Sequence, residues 1–507
     1  MTKQRVFLTG ATGTMGFSGM KELLKDTDAL DLVILARPSE KNKKMLLSFA
    51  KCDGLSVVWG DLSNYEDVRS CVRDCDVVLH VGAFVSPEAD YHPERAMRIN
   101  YGSTANIIKA IKELGQEQKT KLVNIGTVAE TGDRMPPIHW GSVGDPLKPS
   151  VFDYYAVSKV AAERCVIESG LPYWTSLRQT GIIGPTMVSI EDAIILHNCL
   201  DNVLEYASDR DSGVLLRNLC AKERQGKLGG EFWGHVFNIG GGASCRLDAF
   251  SMYTRLFKEL GISKLSYAFD SKWYATRNFH GHYYLDSDKL NDILDFRSDS
   301  MEYLYESYLK HLGATAKVAK IITTFPGGQK FMGGIIGRRF KKLGLTEHGT
   351  IRFIKENMEG HIAAYWGSRE AWEAIPPMDQ FKPFTDWDSS LPVERGYDTS
   401  KPEDDLTVHD LKEASKFRGG ECLSSDMDKG DWVRKLKFRC AFGHEFEAGP
   451  RLVLEGGHWC PVCERESWNY YERAKRDYFF AQVWYPLHPK NEKEWAYPKK
   501  VSELDVR

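Results

Sequence analysis

Tyr155 and Lys159 stand four residues apart in the run Asp153-Tyr-Tyr-Ala-Val-Ser-Lys159, which puts both side chains on one face of a helix. A phenol ionises near pH ~10 and is a poor acid or base at neutrality unless a cation favours its anion. Lys159 has the spacing to be that cation. Tyr154 has no lysine one turn ahead and reads as a packing residue. Upstream, Gly10-Ala-Thr-Gly13-Thr-Met-Gly16 follows a strand-like run and opens an apolar-periodic stretch. Glycines in that setting allow a tight turn and let backbone amides approach a pyrophosphate. Gly10, Thr12, Gly13, Thr14, Met15 and Gly16 are therefore expected to hold a dinucleotide. Hydride addition to a carbonyl leaves an alkoxide that needs a proton from an acid within reach, and Tyr155 is the candidate.

The end of the second strand discriminates between dinucleotides. An acid there suits the ribose hydroxyls of NAD, whereas a 2′-phosphate needs the acid absent and a cation nearby. Ala36 occupies that place and Arg37 follows it, so NADP(H) is expected rather than NAD, with Arg37 as phosphate ligand and Ser39, Lys41 or Lys43 as helpers. The alternative is a solvated basic loop.

These residues need a scaffold, and the first half of the chain alternates strand-like and helix-like patterns. Strands are expected at Arg5 to Gly10, Leu32 to Ala36, Leu55 to Trp59, Asp76 to Val81, Lys121 to Ile125, Tyr173 to Gln179 and Val236 to Ile239, with an amphipathic helix over Ala96 to Leu114. The predicted fold is α/β, a doubly wound parallel Rossmann sheet over 1–315 with a substrate-binding subdomain mainly in 186–235 and 245–315. A helical extension and linker follows at 316–405. The glycine-rich basic stretch beginning this extension reads as a connection packed on the first domain, with a membrane-surface patch as the alternative. Residues 376–405, rich in Pro, Asp and Ser, read as a linker, and 406–507 as a small C-terminal module.

Several motifs occur in one order: Thr9 to Gly16, Gly60-Asp61-Leu62, His80-Val-Gly-Ala83, Asn100 to Thr104, Val123-Asn-Ile-Gly-Thr127, Tyr155 to Lys159 and Arg178 to Pro185. Together they resemble the extended short-chain dehydrogenase/reductase family over about residues 3 to 313. The resemblance implies that Thr127 hydrogen-bonds the reacting oxygen, that Tyr155 exchanges a proton with it, and that Lys159 binds the nicotinamide ribose and acidifies Tyr155. It further places Asp61 and Leu62 near the adenine and Val81, Gly82 and Ala83 along the dinucleotide. Asn100 reads as a support for helix and backbone.

Fold alone does not choose the reaction. Dehydratases of this family follow the catalytic Thr with Asp and Glu. Here Val128 and Ala129 stand there and Glu130 falls one position late, which argues against dehydration. A carbonyl reductase or alcohol dehydrogenase acting on a small-molecule carbonyl or alcohol is expected. A nucleotide-sugar epimerase with tightly bound NAD is the runner-up, and an NADP-sensing binding protein is the alternative of a different class. Asn198, Arg217, Arg277, His280 and His282 fall in the variable substrate segment, where arginines would clamp a diphosphate or aromatics would line an apolar pocket.

Cys440-Ala-Phe-Gly-His444 and Cys460-Pro-Val-Cys463 form two ligand pairs that can close a tetrahedron around structural zinc. They resemble zinc-ribbon and treble-clef modules. A thioredoxin-type redox pair at Cys460 and Cys463 is the competing reading. Glu445 to Gly457 is expected to form a hairpin.

The 507 residues carry a net charge of -3, which implies no general attraction to nucleic acid or anionic membranes, and acidic residues interleave with the basic ones around the metal motif. No apolar run approaches the ~18 residues of a membrane span. No leader pattern opens the sequence, and irregularly scattered cysteines suit a reducing compartment, so a cytoplasmic location is expected. The family resemblance makes a homodimer a candidate assembly.

Overall fold

The computed structural model describes residues 3–49, 51–135, 137–495 and 497. Seven strands form one sheet: β1 (Gln4–Thr9), β2 (Leu30–Ala36), β3 (Leu55–Trp59), β4 (Val77–His80), β5 (Lys121–Thr127), β6 (Trp174–Gln179) and β7 (His235–Ile239). Their order is β7-β6-β5-β4-β1-β2-β3, and all pairings are parallel. Parallel strands are covered on both faces, which is why runs such as Val77–His80 are buried throughout. The strand order reverses between β1 and β4, opening a crevice at the carboxyl ends of the strands. The sheet is therefore the doubly wound Rossmann type expected from the sequence.

Helices α1 (Thr14–Leu23) and α4 (Asp209–Arg224) pack together, while α2 (Pro93–Glu113) and α3 (Tyr154–Ile167) form a second pair. One core joins Val6, Leu8, Ile34 and Leu79 to Leu215 and Leu216 of α4. Another joins Phe7, Val78, Leu122 and Ile107 to Leu436, Phe438, Leu452 and Trp459. The C-terminal segment thus shares a core with the sheet and does not hang from it. Residues 498–507 of the expected C-terminal module lie outside the described residues.

The stretch after residue 313 is more regular than the sequence suggested. It forms α5 (Ala314–Thr323) and α6 (Gly328–Gly344), which pack on each other. Glycine normally disfavours a helix interior, but Gly333 and Gly337 lie against the backbone of Tyr267 and Ala268. A Cβ at these glycines would come within 2.7 and 2.2 Å of the respective carbonyl oxygens. Close packing on that turn outweighs the lost propensity. Short helices at Thr350–Lys355, Glu359–Trp366 and Arg369–Glu373 follow. The 376–405 segment then straps the surface, with Trp140 donating to the Leu391 carbonyl at 2.9 Å.

The hairpin near the C-terminus lies earlier than expected. It pairs Leu436–Arg439 with Glu445–Ala448, so the residues between Cys440 and His444 form its tip. Residues Arg451–Glu455 form a π-helical turn that buries Leu452, Val453 and Leu454. The alternation expected of a strand gives way there to a continuous apolar run.

Candidate active site and candidate metal centre

A cavity of about 1480 Å³ runs along the crevice and past it into the region built from residues 186–343. Gly10 and Gly16 shape its floor: Gly10 has φ +72° and its missing Cβ would lie 2.7 Å from the Gly82 Cα, while a Cβ on Gly16 would lie 2.1 Å from the Gly10 carbonyl oxygen. Only glycine fits either place. No side chain caps α1, so its first-turn amides lie beside the glycine turn. Thr9 Oγ1 accepts from Gly82 N at 2.8 Å and meets His80 Nδ1 at 3.0 Å, which locks the ends of β1 and β4 together. Burial pushes the His80 imidazole pKa down to about 3, so the ring is a neutral strut.

Gly10, Thr12, Gly13, Thr14, Met15, Gly16, Arg37, Ser39, Lys41, Asp61, Leu62, Val81, Gly82, Ala83, Thr127 and Tyr155 all line this one cavity. Two residues of the expected set do not. Asn100 lies behind the wall, accepting from Phe84 N at 2.7 Å and donating to Phe84 O at 2.9 Å and Ser158 Oγ at 2.8 Å, a supporting position. Lys159 is also behind the wall and 2% exposed. Ser39 has a second duty as the cap of the helix Glu40–Leu46, accepting from Asn42 N.

Arg95 and Arg98 of α2, which the sequence reasoning missed, line the same cavity as Arg37 and Lys41, and Arg37 and Arg95 both act on Asp61. Nothing in an amphipathic helix marks two arginines of its polar face as cleft residues. Burial disfavours the Asp61 carboxylate, but Ser63 hydrogen bonds with Arg37 and Arg95 outweigh that and hold its pKa below the usual range.

Tyr155 and Thr127 sit on the wall between the glycine turn and the inner chamber. Asp153 caps α3 by accepting from Ala156 N at 2.8 Å, and Asp90 accepts from Tyr155 N at 3.0 Å. Burial and the neighbouring Asp153 push the Asp90 pKa well up, so the two carboxyl groups fix the start of the helix that carries Tyr155 by accepting its first-turn amides. Thr127 Oγ1 accepts from Ala129 N at 3.2 Å, while Glu130 turns back to accept from Thr127 N at 2.9 Å. Glu130 is thereby buried as a cap rather than presented to the cavity.

Burial pushes the Tyr155 pKa upward. The Thr127 hydrogen bond opposes this rise, whereas Glu130, Asp153 and Asp90 reinforce it. Lys159 is not among the dominant influences on this direction. Burial lowers the Lys159 pKa, and its prominent charge partners are Glu130 and Glu163.

Of the variable-segment residues, Asn198 and His280 line the cavity. Arg217 instead pairs with Asp26 at 2.6 Å, and buried Arg277 donates to the Leu487 carbonyl and pairs with Glu492 at 2.5 Å. Neither arginine lines the cavity. His282 is buried against Tyr284. The inner chamber is mostly apolar, with Ile194, Met252, Tyr253, Phe257, Met332 and Phe340 among its walls.

Cys440 Sγ, His444 Nδ1, Cys460 Sγ and Cys463 Sγ all lie within 4.8 Å of one another. His444 Nδ1 is 3.5 Å from each of the three sulfurs, and Cys440 and Cys463 are 3.9 Å apart. Tetrahedral zinc with Zn–S bonds of ~2.3 Å and Zn–N bonds of ~2.0 Å has edges of about this length, so the donor set fits. Phe442 N also donates to Cys440 Sγ at 3.4 Å, favouring the thiolate. The surroundings are an antiparallel sheet of Glu421–Cys422, Leu436–Arg439 and Glu445–Ala448, not the βαβ unit of a thioredoxin-type pair.

A parallel sheet of this order, with a glycine-floored cleft at its switch point, is a Rossmann-type domain, and with Thr127 and Tyr155 on the cavity wall it is similar to the extended short-chain dehydrogenase/reductase class. Residues 6–216 match the model of the NAD dependent epimerase/dehydratase family. Among curated relatives, an inverting UDP-N-acetylglucosamine 4,6-dehydratase of Campylobacter jejuni is 30% identical over 115 residues, covering 22% of this chain and 34% of that protein. A decarboxylating sterol-4-alpha-carboxylate 3-dehydrogenase of Homo sapiens is 28% identical over 130 residues, covering 25% and 33%. A GDP-6-deoxy-D-mannose reductase of Pseudomonas aeruginosa is 28% identical over 170 residues, covering 33% and 48%. The chain spans about a third of the length of the first of these relatives. A solved dTDP-glucose 4,6-dehydratase from Streptomyces venezuelae superposes with a TM-score of 0.49 at 20% identity, over 61% of this chain and 98% of that one. These relatives make the chain similar to NAD(P)-dependent enzymes acting on small molecules.

Proposed function

We propose that the chain is an NADP(H)-dependent oxidoreductase that interconverts a carbonyl and an alcohol on an extended apolar molecule. The carrying observation is the position of Tyr155 and Thr127, on one cavity wall between a glycine-floored cleft and an apolar chamber. A bound NADPH would supply the hydride. The glycine turn and the first turn of α1 would hold its pyrophosphate, and Arg37, Lys41, Arg95 and Arg98 would meet the 2′-phosphate. Thr127 would orient the substrate oxygen, and Tyr155, kept protonated by its surroundings, would donate to the oxygen as negative charge develops. The raised tyrosine pKa keeps the phenol in the protonated form that a proton donor needs. Arg217 and Arg277, the arginines expected to clamp a diphosphate, do not line the cavity, and Arg339, which does, is paired with Glu191. Val128, Ala129 and the inward cap Glu130 give no acid-base pair for dehydration.

We also propose that Cys440, His444, Cys460 and Cys463 hold a structural zinc ion. A screen of NADPH and NADH consumption over long-chain ketones, aldehydes and sugar nucleotides tests the reaction. Net NADPH consumption with apolar carbonyls is expected; isomerisation of a sugar nucleotide without net consumption would replace this reading.

A further inference from the structure

Helices α5 and α6 form part of the chamber wall with their inner faces. Thr315 and Ala319 of α5 line the cavity, as do Met332, Ile336, Phe340 and Leu343 of α6, spaced to follow one helical face. Their outer faces carry a second apolar stripe. Val318, Ile321, Phe325 and Phe331 are 53, 61, 63 and 60% exposed, a concentration of large exposed apolar side chains within fourteen residues of sequence. Val318 and Ile321 are three apart on α5, Phe325 lies in the turn that follows, and Phe331 is in the first turn of α6, so the exposed apolar side chains run from one helix through the turn into the next.

The charge around this stripe is one-sided. Residues 307–346 hold eight Lys and Arg and no Asp or Glu, in a chain whose net charge is -3. Among the described residues, Lys317, Arg338, Lys341 and Lys342 are exposed and make no ion pair. An apolar helical stripe bordered by long cationic side chains matches the depth profile of a lipid surface, where apolar groups enter the acyl boundary and ammonium groups reach the headgroups. A second copy of the same face would bring like charges together. No helix among the described residues is long and apolar enough to cross a membrane.

We propose that the outer face of the α5–α6 pair docks on an anionic lipid bilayer. Docking would place the chamber wall at the bilayer surface, where an apolar substrate is dissolved. Only this consequence rests on the carbonyl-reductase reading; the docking itself does not. The connection packed on the first domain, expected of this stretch from its sequence, corresponds to the inner face of the pair, and the membrane-surface alternative corresponds to the outer one.

The test is sedimentation of the full chain with vesicles of phosphatidylcholine alone or with about 30% phosphatidylserine, at low and high salt, with neither cofactor nor substrate present. Binding to the anionic vesicles is expected, at least tenfold weaker on the neutral ones and weakened by salt. The double variant Phe325→Glu/Phe331→Glu should lose at least tenfold in partitioning with an unchanged far-UV spectrum. Lys341→Glu/Lys342→Glu, which alters only exposed charge, should lose the preference for anionic lipid and decides the matter if the first variant does not fold. No binding to anionic vesicles overturns the proposal, as does undiminished binding by a folded variant. A soluble dimer that Phe325→Glu/Phe331→Glu dissociates would assign the face to self-association and overturn it equally. Because no reaction is measured, a failure here is distinct from a failure of the enzymatic reading.

Discussion

His458 Nε2 lies 3.2 Å from Glu163 Oε1, joining residues 295 positions apart in a site that excludes solvent. Glu163 is on α3, two turns beyond Tyr155, and also pairs with Arg178 at 2.5 Å; Arg178 Nε in turn lies 3.3 Å from Glu130 Oε2. Arg178 donates to the Gly456 carbonyl at 2.6 Å, and Arg164 of α3 pairs with Glu464 at 3.2 Å and donates to the Trp459 carbonyl. The segment carrying the Cys/His cluster is thereby bound to the back of the Tyr155 helix. Burial opposes the charged form of His458, but Glu464 and Glu163 outweigh it and raise its pKa.

Removing one member of a buried charge cluster leaves the others unpaired, with a penalty of ~3–5 kcal/mol. Glu163→Ala should therefore lower stability by about this amount, and Glu163→Gln by less, because the amide retains hydrogen-bonding capacity. Urea unfolding of both variants checks the ranking.

Stability should also depend on Glu130. Burial and the neighbouring Glu163 raise its pKa from the ordinary 4.5 to about 8, while Arg178 and Lys159 act the other way. The folded chain holds this proton more tightly than the unfolded chain. Its contribution is thus full below pH ~4.5 and is lost as pH rises through about 8. Between pH 5 and 8 the thermal midpoint of the wild type should fall relative to that of Glu130→Gln. Parallel profiles would contradict the assignment.

Removing the Arg37 cation should shift cofactor choice. A charge-assisted hydrogen bond is worth ~1.5–3 kcal/mol, so Arg37→Ala should weaken NADPH binding by roughly 10- to 100-fold with little effect on NADH. Fluorescence titration of both cofactors reads the ratio; equal losses for the two would remove Arg37 from phosphate recognition.

Zinc analysis of the purified chain should give one ion per chain, and Cys463→Ser should lower that content together with the thermal midpoint. Because metal binding at such sites is coupled to folding, chelation should reproduce the variant's shift. A metal-free chain with an unchanged midpoint would leave the four side chains without this role.

Much of the scaffold was legible because apolar strands bounded by turn residues have few alternatives: β3 has the expected bounds, and the other six strands differ by only one or two residues at either end. The glycine turn was legible because Gly10 and Gly16 have steric reasons visible in their spacing. The α5 and α6 helices were less so, since Gly333 and Gly337 weaken the local signal and the turn at Tyr267 that compensates them is distant in sequence. Arg95 and Arg98 resembled any solvated helix face. Glu163, Arg178 and His458 acquire their relationship only through tertiary packing, and no periodicity relates residues from three separate parts of the chain. Lys159 shows both the reach and the limit of spacing arguments: helical periodicity places it one turn after Tyr155 and one turn before Glu163, but its other acidic neighbour, Glu130, comes from packing and leaves no trace in that spacing.

The proton-donor role of Tyr155 is checked by comparing wild type with Tyr155→Phe, measuring NADPH affinity by fluorescence and NADPH consumption with a long-chain ketone in the same preparations. With Tyr155 as the donor, NADPH affinity should stay within about twofold and turnover should fall ~10²- to 10⁴-fold, the usual share of a positioned proton donor. Turnover undiminished in Tyr155→Phe, with the cofactor bound as tightly as before, would contradict that role.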